Sequence, residues 1–209
     1  FHEKNLKASY SHSTNSQAKK FFSRFLGISL LILKISFVNS QSYFSPVIQN
    51  YSAQEYKAGI SNWDITQTSD GLFYFANLNG VLRYDGKEWK FTEIAGSKFV
   101  RAIHRDFNSR IFVGSNDEFG YLDTDNFNNT YYQSLSENFE LERFGLVLQI
   151  LSNKDDIFFI TRNYLIRYRN NNFKYWPLNR GFGGFIHQEN LYVKQVDQVL
   201  LKLKEDQLN

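Results

Sequence analysis

Cysteine and methionine are both absent from the 209-residue sequence, and proline occurs only twice. Without cysteine the chain can form no disulfide, no thiolate metal site and no cysteine nucleophile. Without methionine it has no initiator, so we expect a fragment of a longer product or a misplaced start.

A strong charge of one sign is also missing from most of the chain. Residues 1–40 hold six of the 24 basic and one of the 21 acidic residues, which leaves 18 basic and 20 acidic residues in 41–209. Because binding to phosphates needs clustered positive charge, we expect the folded part to bind no nucleic acid.

No apolar run near the N-terminus is long enough to span a bilayer, which needs about 20 apolar residues. Basic residues precede an apolar run over 25–33, and small residues follow near residue 40. This order predicts a secretory signal peptide over 19–40 with cleavage before Gln41. Because Lys34 interrupts the apolar pattern, a buried amphipathic helix or a signal anchor is the alternative. The polar segment 1–18 reads as disordered or as an artefact of the start site.

Aromatic residues are abundant, at 18% of the chain with 21 Phe and 13 Tyr, and they fall in a repeated pattern. Residues 62–89 contain two apolar runs separated by Asn-Leu-Asn-Gly, which is typical of a β-hairpin. Similar segments follow at offsets of 38, 46 and 34 residues. The aligned residues are Ile65, Phe73, Val81, Tyr84 and Asp85, then Ile103, Ile111, Phe119, Leu122 and Asp123, then Ile157, Leu165 and Tyr168, and finally Leu191, Val199 and Lys202.

Repeats of this length with short antiparallel strands are the signature of β-propeller blades. We therefore predict an all-β fold, a partial β-propeller of about four blades of three to four strands, behind a lead-in over 41–61. The blades are expected at 62–98, 99–143, 144–179 and 180–209, the last without its outer strand and with further blades to follow. Residues assigned to structural turns are Gly71, Asn77, Gly80, Asp85, Gly86, Gly114 and Gly120.

The sequence resembles the two-component-regulator propeller family over roughly residues 46–209. The resemblance rests on Tyr56 in the lead-in, the Asn62-Trp63 pair, and the phrases NLNGVLRYDG and VGSNDEFGYL. The family implies an extracytoplasmic sensor whose propellers are followed by a three-tyrosine β-sandwich, a transmembrane helix and a histidine kinase or DNA-binding output domain. It also implies a periplasmic location, an extracellular ligand related to carbohydrate and, as one option, a homodimer.

Candidate ligand-binding residues come from a stretch in which basic and aromatic residues are interleaved, and from the tryptophans. Residues 162–180 interleave arginine and lysine with tyrosine, phenylalanine and tryptophan, a pattern that can stack sugars and neutralise an anion. The candidates are Trp63, Arg162, Arg167, Arg169 and Trp176. The alternatives are a solvated outer edge for the arginines, with Arg167 and Arg169 on one face of a strand, and packing between blades for the tryptophans.

His104 and His187 each follow an isoleucine at what the repeat suggests is the same position, so they could hold a metal in a central channel. We favour local packing, because no metal-binding spacing accompanies them. No catalytic motif occurs, so we expect no enzyme, no cofactor and no metal in this chain. A non-catalytic scaffold and a glycan hydrolase or lyase are the alternative functions.

Overall fold

A computed structural model describes residues 46–94, 99–127, 129–196 and 200–209. The chain divides into a unit of residues 1–49 and a unit of residues 50–209, and the second holds every described helix and strand. The expected signal peptide over 19–40 and the segment 1–18 lie outside the described residues. Within those residues, no helix has the length and hydrophobicity that crossing a membrane requires.

The described strands form four antiparallel sheets, in each of which the strand order follows the chain. Blade 1 contains β1 (Asn62–Gln67), β2 (Phe73–Asn77), β3 (Gly80–Tyr84) and β4 (Trp89–Thr92). Blade 2 contains β5 (Ala102–Arg105), β6 (Ile111–Gly114), β7 (Phe119–Thr124) and β8 (Thr130–Ser134). Blade 3 contains β9 (Val147–Ser152), β10 (Ile157–Thr161), β11 (Tyr164–Arg169) and β12 (Asn172–Pro177). Blade 4 contains β13 (Gly181–His187), β14 (Asn190–Gln195), β15 (Leu201–Lys204) and β16 (Gln207–Leu208). The predicted all-β propeller is confirmed.

The fourth blade differs from the prediction in two ways. It has an outer strand, because the two-residue β16 pairs with β15, so the expectation of three strands was wrong. Its register is also shifted, since Lys202 pairs with Tyr192 and not with Leu191 as the repeat offset required. A shift of one residue exchanges the two faces of a strand, which turns Lys202 away from the face that carries buried Leu191. Val199 lies outside the described residues.

The described residues form a hydrophobic core of three clusters, each between neighbouring blades. The cluster between blades 2 and 3 is the richest in aromatic rings. Phe119, fully buried, stacks on Phe159 at 4.4 Å between ring centroids and lies 5.0 Å from Phe144. The high aromatic content is therefore used to fill the spaces between sheets, where large flat side chains bury much surface.

A lead-in segment covers part of blade 1 on the side away from blade 2. It contains the short helix α1 (Ala53–Tyr56), which begins with a capping box formed by Ser52 and Glu55. The rings of Tyr51 and Tyr56 lie 5.2 and 5.4 Å from the ring of Trp89 on β4. The lead-in thus shields aromatic surface that no neighbouring blade covers in the described residues.

The residues assigned to turns fall into two groups. Gly71 and Gly86 lie in turns with φ of 89° and 93°, and Asp85 accepts hydrogen bonds from two backbone N–H groups of its own turn. By contrast, Gly114 is the last residue of β6 and Gly120 lies inside β7, so their assignment to turns was wrong. A side chain on either would meet an atom within 2.6 Å, because Val147 packs against Gly114 and Tyr132 against Gly120.

The hairpin between β2 and β3 also ties the lead-in to blade 1. Asn77 and Gly80 pair across the turn. The buried amide of Asn77 accepts a hydrogen bond from the N–H of Gly59 at 2.9 Å and donates to the Gly59 carbonyl at 2.7 Å. The same amide nitrogen of Asn77 also donates a hydrogen bond to the side-chain oxygen of Asn62 at 2.8 Å. Asn77 therefore fixes the path of the chain as it enters β1.

Candidate functional site

The first strands of the four blades lie side by side in chain order, with β1 against β5, β5 against β9 and β9 against β13. Two adjoining cavities open along them, of about 430 and 370 Å³. We call the larger the arginine cavity and the smaller the inner-strand cavity. Arg101, Leu148 and Phe182 line both, so the two cavities form one continuous candidate site.

Equivalent positions of the four blades supply the lining side chains at the start of the first strands. Trp63, Leu148 and Phe182 each lie where the pairing register of the first strand shifts by one residue. Arg101 occupies the corresponding place directly before β5, 38 residues after Trp63. Such bulges turn a side chain out of the regular alternation. The repeat therefore presents one side chain per blade to the site.

Three arginines surround the arginine cavity, which Gly181 and Val196 also line. They are Arg101 before β5, Arg162 in the turn between β10 and β11, and Arg180 before β13. None of the lining residues is acidic, and within the described ranges none of these arginines forms an ion pair. The cavity therefore combines an apolar wall with three cations.

A close approach of two chain segments brings Arg162 and Arg180 together. The N–H of Gly181 donates to the carbonyl oxygen of Arg162 at 2.6 Å. A Cβ at Gly181 would lie 2.5 Å from the carbonyl oxygen of Thr161, so only glycine permits this contact. The hydroxyl of buried Thr161 also accepts the N–H of Tyr164 at 2.9 Å, which holds the turn in shape.

Trp63 forms the aromatic wall of the inner-strand cavity, and 48% of its surface is exposed. The guanidinium of Arg101 lies 5.3 Å from the centroid of its ring, within the range of cation–π attraction. The ring of Phe99 packs edge-on against it at 5.7 Å. The indole is therefore held in place while one of its sides stays open to a ligand.

His104 and Ser152 link blades 2 and 3 beside the same cavity. Nε2 of His104 lies 2.8 Å from the hydroxyl of Ser152, and burial lowers the pKa of the His104 imidazole below its ordinary value. His104 pairs with Phe112, and the repeat offsets place Tyr192 and its partner Phe185 at the equivalent positions in blade 4. The expected equivalence of His104 and His187 was therefore wrong.

The two histidines of the described residues lie in different blades, His104 in blade 2 and His187 in blade 4. His187 is exposed at the end of β13 and pairs with Asn190. Among the described residues, no group of three or more His, Cys, Asp or Glu side chains has a geometry that could hold a metal ion. His2 and His12 lie outside those residues.

The other predicted ligand residues lie on the outer strands of blade 3, away from both cavities. Arg169 binds Asp156 through two hydrogen bonds of 2.5 Å, and Arg167 forms an ion pair with Asp206. The indole N–H of Trp176 donates to the carbonyl oxygen of Asp206 at 3.0 Å. Arg167 and Trp176 thus join blade 3 to the outer edge of blade 4, whereas Arg169 is bound within blade 3. Of the predicted set, only Trp63 and Arg162 line the candidate site.

Sequence reasoning missed Arg101, Leu148 and Phe182 as site residues. The available signal was the repeat itself, because Arg101 aligns with Trp63 at the 38-residue offset. The bulges that place Leu148 and Phe182 in the corresponding positions leave no mark in a single sequence.

Comparison with solved structures supports the propeller fold alone, since the similarities described below are under 25% identity. The chain superposes on virginiamycin B lyase from Staphylococcus aureus with a TM-score of 0.57 and 13% identity over 71% of this chain and 54% of that one. For the extracellular domain of a hybrid two-component system from B. thetaiotaomicron, the TM-score is 0.53 and the identity 17%, over 69% of this chain and 20% of that one. For the WD40 propeller domain of Doa1, the TM-score is 0.54 and the identity 10%, over 70% of this chain and 52% of that one.

The chain therefore spans between a fifth and just over half of these proteins. No sequence-family model matches the chain. A comparison with curated proteins also gives no match.

Proposed function

We propose that this chain is the ligand-sensing propeller of a transmembrane regulator, and that it binds a carbohydrate-related ligand outside the cytoplasm. The observation that carries the proposal is the continuous site on the first strands, to which all four blades contribute a side chain. Similarity in fold to the extracellular domain of a two-component system supports it.

A ligand at this site would touch several blades together. Trp63 belongs to blade 1, Arg101 to the start of blade 2, and Phe182 to blade 4. A ligand that contacts all three favours the blade packing in which they stand at the right spacing. Binding then shifts the population between two packings, provided that the affinities for the two packings differ. A downstream membrane helix would carry that shift to an output domain.

Calorimetry of the full chain against a panel of oligosaccharides tests the binding role. We expect saturable binding that Trp63→Ala weakens about tenfold, because aromatic stacking contributes about 1–3 kcal/mol in comparable recognition of flat rings. Trp89→Ala is the comparison, since Trp89 lies beneath the lead-in. Absence of saturable binding to every oligosaccharide would contradict the proposal and favour a scaffold.

We also propose that the chain binds its ligand without converting it. Asp64 and His104, the two side chains lining the inner-strand cavity that could act as an acid or a base near neutral pH, already have internal partners. Asp64 accepts the N–H groups of Ile65 and Ile103 at 2.9 and 3.0 Å, and His104 is bonded to Ser152. Chromatography of oligosaccharides after incubation with the chain should show no product. A product that His104→Gln abolishes would support the lyase or hydrolase alternative.

The export and assembly of the chain are further parts of the proposal. Export depends on residues 19–40, and fusion of this segment to a reporter should carry the reporter into the periplasm. Light scattering of the chain at increasing concentration distinguishes a homodimer from a monomer.

A further inference from the structure

Positive charge is concentrated without compensation at the arginine cavity. Arg101, Arg162 and Arg180 line it together, and no carboxylate is among the described lining residues. Like charges that converge in one place repel each other and destabilise the folded chain. A chain that keeps three cations together gains stability whenever an anion lies between them.

The basic residues on the outer strands show the opposite arrangement. Arg169 is paired with Asp156, and Asp206 binds both Arg167 and Lys174. The fold therefore supplies carboxylates to these outer cations, both within blade 3 and between blades 3 and 4. Within the described residues the cations of the arginine cavity, by contrast, form no ion pair, and Arg101 contacts only the ring of Trp63 through its guanidinium group.

The backbone brings two of these arginines together, and one aromatic ring orients the third. The hydrogen bond between the N–H of Gly181 and the carbonyl oxygen of Arg162 fixes the backbone spacing of Arg162 and Arg180. The cation–π contact with Trp63 fixes Arg101. Because ordering a long side chain costs entropy on binding, this arrangement favours tight capture of an anion.

We propose that the arginine cavity binds an acidic group of the ligand, a carboxylate or a sulfate, while the neutral part of the ligand lies along Trp63 and Phe182. The guanidinium group has the planar fork that binds such groups through two parallel hydrogen bonds. This inference rests on the proposed sensing function and adds the charge of the ligand to it.

The test is calorimetry of the full chain with three probes: a digalacturonate, the neutral digalactose and inorganic sulfate. We expect digalacturonate to bind at least about tenfold more tightly than digalactose, because hydrogen bonds between charged groups are roughly twice as strong as those between neutral groups. Its affinity should fall as salt is added. Sulfate should compete with digalacturonate but not with digalactose.

Arg162→Gln and Arg180→Gln should each weaken digalacturonate binding about tenfold or more and leave digalactose binding unchanged. The matched control is Arg143→Gln, because Arg143 is exposed and lines neither cavity. Circular dichroism of each variant checks that the fold is retained.

The outcomes separate this inference from the proposed function. Equal affinity for both disaccharides, unchanged by Arg162→Gln, overturns the inference and leaves sensing intact. Binding of sulfate without either disaccharide supports an anion site and contradicts a carbohydrate ligand. Binding of none of the three probes overturns the inference, and the wider oligosaccharide panel then decides the sensing proposal separately.

Discussion

The imidazole of His104 is a buried titratable group at a contact between two blades. Burial lowers its pKa below the ordinary value, so the folded chain holds it neutral under conditions where the unfolded chain already takes up a proton. Protonation of the unfolded chain therefore lowers the free energy of unfolding as the pH falls below the ordinary pKa of about 6.5, and above that pH this group causes no such loss.

His104→Gln should remove this pH dependence. Between about pH 7.5 and about pH 5, the Tm of the parent chain should fall more than that of the variant. Thermal unfolding followed by circular dichroism at several pH values measures the difference. His187→Gln is the matched control because His187 is exposed at the end of β13. Parallel profiles of the parent chain and His104→Gln would contradict the prediction.

Asp206 makes the stability of the folded chain depend on pH in a more acidic range. The cations of Arg167 and Lys174 lower the pKa of its carboxyl group to about 2. Its contribution to stability is therefore present above the ordinary value of 3.8 and is lost as the pH falls toward 2. Because the carboxylate is 44% exposed, solvent screens the pair and we expect about 1 kcal/mol or less.

Asp206→Asn should lower the Tm slightly at neutral pH and flatten its decline below about pH 4. Asparagine also tolerates the φ of 62° at this position, so the substitution removes the charge without straining the turn. Acid titration of the far-ultraviolet circular dichroism signal measures the effect. Asp70→Asn, in an exposed turn, serves as the comparison, and an equal change there would argue against the ion pair.

At the scale of the element, the packing of one sheet on the next depends on large buried aromatic rings. Phe119→Ala should lower the free energy of unfolding by about 3–5 kcal/mol, because Phe119 is fully buried and the remaining rings cannot close the cavity. Phe127→Ala removes a ring that is 86% exposed, so it should change the free energy of unfolding by about 0.5 kcal/mol or less. Urea unfolding measures both, and equal effects would contradict the packing described here.

The strands themselves could be predicted from the sequence, because apolar runs and Asn-Gly or Asp-Gly turns report local preferences. Phe73, Ile111 and Ile157 sit at equivalent places in three blades, each paired with the residue that the repeat aligns. In blade 4 the register is shifted by one residue at Lys202. The length and type of a turn determine the pairing register of the strands that it joins. A single repeat offset applied to the whole blade does not reveal a shift of one residue in one strand pair.

The candidate site was predicted only in part, for a different physical reason. Trp63 and Arg162 were identified by residue type, as an aromatic residue and a cation in an aromatic-basic stretch. Arg167 and Trp176 are also a cation and an aromatic residue of that stretch, but they lie outside the candidate site. The carboxylate and the carbonyl oxygen of Asp206, 30 or more residues away in the sequence, bind them at the outer edge of blade 4. Only the packing of blade 4 on blade 3 distinguishes the two groups.

At the scale of the whole molecule, each blade stabilises its neighbour. Removing residues 180–209 would uncover Phe158, Ile160 and Leu165, which are buried against blade 4. We expect the shortened chain to keep a β-type circular dichroism spectrum, because blades 1–3 retain their mutual contacts. Its Tm should nevertheless be lower, and it should associate through the uncovered face.

Size-exclusion chromatography and thermal unfolding of the shortened chain, beside the full chain, check this expectation. Complete loss of the β spectrum would show that the blades fold only as one unit. An unchanged Tm would show that blade 4 contributes nothing to the stability of the other three.

The strict agreement of strand order with chain order has a consequence for how the molecule forms. Every described strand pairs with the strand next to it in the sequence, and among the described strands none is shared between two blades. Contacts within a blade therefore close short loops, which cost less entropy than the long-range pairings of most β-proteins. A blade can form as soon as its own four strands have left the ribosome, and the next blade then docks on a finished surface.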